Sequence, residues 1–190
     1  MLFRPLALAL LCSTSINSKA INTLAGPYRI VVERFYMCQP DNRVPPWSWY
    51  VRASHFNPQT PKELQRVTGN FCTTTALDDS LWGRANMGVR SNNQWKENAF
   101  VGYFKNSACR HLRENIPGFF NAAFKQSTQT KGVCSIKPGV YEVNDYPIDW
   151  TFPKIPIMPY AHYRFNVTFG KDENLYGCFV VENRVIPKLE

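Results

Sequence analysis

Three histidines have the most evident chemical reach in this chain: His55, His111 and His162. In a basic secreted protein, two histidines can share the acid and base roles of a ribonuclease. Here one lies on or just beyond a strand, one on a helix and one at a strand start. No local motif brings them together, so they read as ordinary surface or internally satisfied residues. No G-x-S-x-G occurs, which argues against a hydrolase of the nucleophile-elbow type. Asp78-Asp79 reads as a solvated turn, since a calcium site needs more oxygens. No C-x-x-C occurs and no histidine stands at metal-ligand spacing from a cysteine, which argues against zinc. The expectation is a protein without catalysis, metal or cofactor.

The N-terminus reads as an export signal over residues 1–20. Arg4 supplies the positive start, Leu6 to Cys12 the apolar core, and Ser18-Lys19-Ala20 the small residues of a cleavage site. That run is well short of the roughly 20 apolar residues that span a bilayer. Residues 21–190 then suit one domain with its own core, expected in the extracellular space or the lysosomal lumen. The chain has 22 Lys and Arg against 14 Asp and Glu; without Arg4 and Lys19 it has 20 against 14, a net charge of +6. Such a charge favours anionic surfaces, lipid headgroups among them, and would equally suit nucleic acid. The basic residues are scattered, however, with no run to grip a polyanion, so nucleic acid is not an expected partner. Five cysteines follow the signal: Cys38, Cys72, Cys109, Cys134 and Cys178. In an oxidising compartment these mostly pair, and the odd number leaves one over.

The elements that would position any site are mostly strands. Tyr28 to Cys38 is a β-branched and aromatic run ended by Pro40-Asp-Asn. Further strands are expected over Trp47 to Phe56, Leu64 to Thr75, Leu81 to Arg90 and Trp95 to Phe104, with turns at Asp78-Asp79 and Ser91-Asn-Asn. Gly83 and Gly88 suggest a bulge in the fourth of these. From Ser107 to Gln126 the apolar residues recur at helical spacing. Ser107 can cap the start, and Pro117 splits the run into two short helices. A polar loop follows over Gln126 to Gly132. Strands resume at Gly139 to Asn144, and a last hairpin runs from Tyr163 to Phe169, turns at Gly170 to Asn174 and returns through Val181. Short strands with regular turns predict an all-β, two-layer antiparallel sandwich with a helical insertion near 107–126.

One connection is unusually apolar. From Trp150 to Tyr160, prolines at 153, 156 and 159 forbid a helix and exclude a central strand. Yet the stretch carries Trp150, Phe152, Ile155, Ile157, Met158 and Tyr160. Surface connections are normally polar, and exposing this much apolar area costs about 25 cal/mol per Å². The stretch either packs on the core as a lid or lines a cavity mouth. Phe119, Phe120 and Phe124 crowd one helical face and can cover one end of the sandwich. Sheets propped apart by bulky aromatics can enclose an apolar pocket.

In the order Cys109, Cys134, Pro138-Gly-Val-Tyr141, Asn144-Asp-Tyr146, the proline-rich stretch, Tyr163-Arg-Phe-Asn-Val167 and Cys178, the chain resembles the ML-domain lipid-recognition superfamily. In particular it resembles the secreted arthropod proteins similar to the ganglioside activator. The early Tyr28-Arg-Ile-Val-Val…Cys38 strand fits as well. The resemblance implies an immunoglobulin-like sandwich with an apolar cavity between its sheets and no catalysis. It also implies bridges from Cys38 to Cys178 and from Cys109 to Cys134, with Cys72 left over. Without histidine or asparagine context, Cys72 reads as a buried thiol or an intermolecular bridge. The chain departs from the family in having fewer cysteines than the ganglioside activator. It also carries Tyr160-Ala-His162 where a glycine or polar residue is usual, which bears on the shape of a pocket mouth.

These readings converge on a secreted lipid-binding or lipid-transfer protein. Its expected lipid contacts are Phe119, Phe120, Phe124, Trp150, Phe152, Ile155, Ile157, Met158 and Tyr160, with Lys154, Arg164 or His162 meeting a headgroup. An anionic membrane surface is a second expected partner; a receptor is left unspecified. Asn166-Val-Thr168 is a glycosylation sequon, placed outward by alternation with Tyr163, Phe165, Val167 and Phe169. The competing expectation is a secreted recognition module with a filled core, acting through protein contacts; a basic secreted nuclease is a third.

Overall fold

The β-branched and aromatic runs of this chain do become strands, because such side chains fit a pleated, half-buried surface. The computed structural model describes residues 24–38, 45–124 and 133–189. The export signal, the Pro40-Asp-Asn turn and the 126–132 loop lie outside them. In chain order the elements are β1 (Ala25–Gly26), β2 (Tyr28–Met37), β3 (Trp47–Ala53), β4 (Gln65–Thr73) and β5 (Leu77–Asp78). Then come β6 (Trp82–Ser91), β7 (Gln94–Phe104), α1 (Ala108–Asn115), α2 (Pro117–Phe124) and β8 (Ser135–Ile136). Last are β9 (Gly139–Ile148), β10 (Met158–Pro159), β11 (His162–Lys171) and β12 (Asn174–Pro187).

These strands make an all-β sandwich with a short helical insertion. A large sheet has the order β2-β12-β11-β6-β7 and a small one β3-β4-β9, every pairing antiparallel. Two short pairs, β1-β10 and β5-β8, tie the connections down. The β6-β7 turn rests on Asn92 and Asn93, both left-handed at φ 50° and 59°, a conformation asparagine tolerates and a tight hairpin requires. The β6-β7 register breaks between Met87 and Val89, at Gly88. Pro117 does break the helix, with Ile116 non-helical between α1 and α2.

Three local expectations change. β9 runs on to Ile148, through Pro147, because it is an edge strand of the small sheet, where a missing N–H is tolerated. β12 continues to Pro187 because β2 pairs with it along that length. Ser107 is left-handed (φ 74°) and makes no side-chain cap. Asp79 does that work from the β5 turn. Its carboxylate accepts the Arg110 N–H (3.0 Å) and its carbonyl accepts the Ser107 N–H (2.8 Å). The pair expected to be a solvated turn is therefore half structural: Asp78 holds Ser80, and Asp79 caps α1.

Two disulfides brace this frame. Cys38–Cys178 joins the end of β2 to β12, and Cys109–Cys134 joins α1 to the residue before β8. These are the bridges implied by the family resemblance, and they belong to an oxidising compartment. Cys72 is free and half-buried on β4. No described helix is long and apolar enough to cross a membrane.

The sheets meet through Trp47, Trp49, Val67, Phe71, Val143, Ile148, Tyr163 and Phe169, all buried. Among the buried polar side chains, Gln65, Thr73 and Asn183, one reaches from the small sheet to the large one. Gln65 on β4 is 4% exposed. Its amide accepts the Val32 N–H (2.7 Å) and donates to the Val32 carbonyl (2.8 Å) and the Ser54 carbonyl (2.7 Å). It thus bonds β2 as a neighbouring strand would, across the gap between the sheets. Gln65→Leu leaves those backbone groups buried and unpaired. We expect a stability loss of about 2–4 kcal/mol in urea unfolding, with the far-UV spectrum retained. A loss near zero would mean that the clamp carries no weight.

Candidate functional site

β2 and β3 are the facing edges of the two sheets. Past the Gln65 clamp no described backbone hydrogen bond joins them. An open cleft of about 620 Å³ lies there, walled by Phe35, Met37, Trp49 and Val51 and rimmed by Tyr36, Tyr50 and Arg52. It continues into a section of about 590 Å³ that shares Phe35, Tyr36, Val51 and Arg52 and adds Glu33, Arg34 and Ala53. Gly69 forms part of the wall at φ 149°. A Cβ there would come within 2.0 Å of the Tyr50 carbonyl oxygen, so only glycine lets β4 lie this close to β3.

Behind the wall stands a column of rings. Phe35 meets Trp150 (centroids 5.6 Å apart), Trp150 meets Phe119 (5.7 Å), Phe119 meets Phe71 (5.4 Å), and Phe71 meets Phe124 (5.4 Å). Trp49 packs edge-on against Phe179 of β12 at 4.9 Å. The Trp150 indole N–H is buried and makes no hydrogen bond among the described residues. On the inner face of the large sheet the register aligns Phe35, Val181, Phe165, Met87 and Phe100 across its five strands. The first four are only half-buried and Phe100 is 59% exposed. Three strands cannot roof five, so a ribbon of apolar surface stays partly open.

The proline-spaced connection divides by side chain. Trp150 and Met158 are buried, Phe152 packs on Phe165 (5.9 Å), and Ile155 and Ile157 are exposed. Tyr160 donates its hydroxyl to the Pro27 carbonyl (3.1 Å), which anchors the strap beside β1. Phe120 and Phe124 are buried in the core, while Phe119 is half-buried. Of the expected lipid contacts, Trp150 and Phe119 therefore stand just behind the cleft wall, and Phe152 lies on the open ribbon. Phe120, Phe124 and Met158 support from within. The cleft-lining residues Phe35, Met37, Trp49 and Val51 were not singled out in the sequence, where each reads only as an ordinary strand residue.

Two of the expected headgroup residues are already engaged. Lys154 pairs with Glu114 and holds that carboxyl below its usual range. Arg164 pairs with Glu97 and lies 4.6 Å over the Trp95 ring. His162 opens β11 opposite Arg184. His111 stacks on Phe104 (4.2 Å), and His55 is exposed after β3; no described hydrogen bond joins two of the histidines. At the cleft rim, the Tyr36 hydroxyl donates to Glu182 (3.1 Å); burial, then that carboxylate, raise its pKa, so it remains a neutral donor. Asn166 is exposed on the outer face of β11. No group of three or more His, Cys, Asp or Glu that could hold a metal occurs among the described residues. No protein-family model matches the chain, and neither does any curated protein.

Wall and core should separate in their energetics. Phe124→Ala empties a fully buried site and should cost about 3–5 kcal/mol. Phe35→Ala removes a ring that borders solvent and should cost less than about half of that. Urea unfolding of the two variants checks this; equal losses would place Phe35 in a closed core.

Proposed function

We propose that this chain is a secreted, non-enzymatic lipid-binding or lipid-transfer protein that holds the apolar part of its ligand between the two sheets. The observation that carries this reading is the β2/β3 cleft. Its volume of about 620 Å³ falls within the roughly 300–1,000 Å³ of small-molecule pockets, and its walls are apolar. Phe119, Trp150 and Phe152 extend that surface inward, and Ile155 and Ile157 offer apolar contact at the strap. Likeness of the sequence to the ML-domain superfamily supports the same reading, as does the pair of bridges. Affinity would come from apolar burial, roughly 0.8 kcal/mol per methylene, which tolerates many chain types. The basic net charge suits delivery at anionic membrane surfaces.

One observation favours the competing reading, a recognition module. The edge strand β7 exposes Val101 and Tyr103 on one face and Phe100 on the other, and exposed apolar residues along an unpaired edge fit a protein partner. The readings part on ligand. Solvent extraction of the purified chain should yield lipid by mass spectrometry, and a fluorescent fatty acid should bind and be displaced. Val51→Trp, which fills the cleft, should weaken that binding by about tenfold, the equivalent of two buried methylenes. Absence of both extracted lipid and probe binding would favour the recognition module. Expressed in a secreting eukaryotic cell, the chain should also carry a glycan at Asn166. Glycosidase should then lower its mass, and Asn166→Gln should abolish the shift.

A further inference from the structure

The cleft changes character along its length. At Phe35, Met37, Trp49 and Val51 it is apolar. In the continuing section Arg34 joins the lining from β2, together with Glu33, while Arg52 of β3 borders both sections. The cause is alternation. Phe35 and Val51 turn into the gap, so the residues beside them, Arg34 and Arg52, fall at its rim. The nearest acids are Glu33 and Glu182, the latter opposite Arg34 across the β2-β12 pair. Glu33 pairs with Arg184 at 2.6 Å, and Glu182 accepts the Tyr36 hydroxyl. Arg66, Arg110 and Arg164 each have a carboxylate partner. Neither Arg34 nor Arg52 has one among the described residues.

Resting on the lipid-binding reading above, we propose that the ligand is an anionic amphiphile whose carboxylate or phosphate head is held at the cleft rim by Arg34 and Arg52. A guanidinium presents a planar fork of donors that matches such oxyanions, and charge-assisted bonds of this kind are the stronger ones. An anion at the rim would offer both guanidiniums a partner that no described carboxylate supplies. A neutral headgroup satisfies neither. The rim therefore selects for charge while the walls select only for apolar length.

The test is displacement of a neutral apolar fluorophore from the full chain, at low salt, by hexadecanoate, hexadecyl phosphate and hexadecanol. The two anions should bind about tenfold more tightly than the alcohol, the equivalent of one charge-assisted hydrogen bond. Comparison of the two anions distinguishes a fatty-acid head from a phospholipid-type head. The Arg34→Gln/Arg52→Gln double variant should bring both anions down to the affinity of the alcohol. The alcohol's own affinity should be unchanged, which also reports an intact fold. Equal binding of acid, phosphate and alcohol by the native chain would overturn the rim clamp and leave lipid binding standing. So would an anion preference that survives the double variant. Failure of all three to displace the fluorophore would remove the lipid-binding reading itself.

Discussion

A single buried amide ties the two sheets together at their shared margin. Within each sheet the backbone is hydrogen-bonded strand to strand; between sheets the joints are side-chain contacts, which can slide. Gln65 bonds both the N–H and the carbonyl of Val32 and so fixes β2 against β4 at hydrogen-bond distance. Beyond that point, Cys38–Cys178 holds the end of β2 to β12 rather than to the small sheet. β2 is thus pinned to one sheet along its length and to the other at one place. The gap between Phe35–Met37 and Trp49–Val51 opens where the second constraint ends.

The ring column keeps that gap from closing. Aromatic pairs in edge-on or tilted contact contribute about 0.5–1.5 kcal/mol each beyond burial, and their geometry resists collapse. Trp150 and Phe119 stand between the cleft wall and the deep core, so the wall has a stiff backing. The helix α2 supplies Phe119 and Phe124, and the α1 helix before it is held by the Cys109–Cys134 bridge and by Asp79, which caps it from the β5 turn. The helical insertion therefore closes one end of the sandwich as a fixed plug, and the apolar ribbon along Phe165 and Met87 remains half-open.

Much of the frame was legible because its causes are local. Strand runs, the Asn92-Asn93 turn and the break at Pro117 each depend on the intrinsic preferences of a few neighbouring residues. The cap of α1 was not legible, since its carboxylate comes from Asp79, far away in the chain, and Ser107 is a standard capping residue that local reading prefers. The strap was half legible. Its prolines forbade a helix, but a run punctuated every third residue has no period from which to sort Trp150 and Met158, which go inward, from Ile155 and Ile157, which do not. Nothing local marked the cleft: Phe35 and Val51 look like any inward-facing strand residues.

By itself the sequence determined the element types, the single-layer alternation of each strand and the presence of more apolar and aromatic surface than a connection should carry. Those are properties of adjacent residues, set by sterics and by the period of the backbone. Only the tertiary structure decided which strand edges face each other, that Gln65 bridges them, and that Arg34 and Arg52 line one section of the cleft while Lys154 and Arg164 are paired elsewhere. Such facts depend on contacts between residues distant in the chain, where sheet order, and not composition, determines which side chains meet.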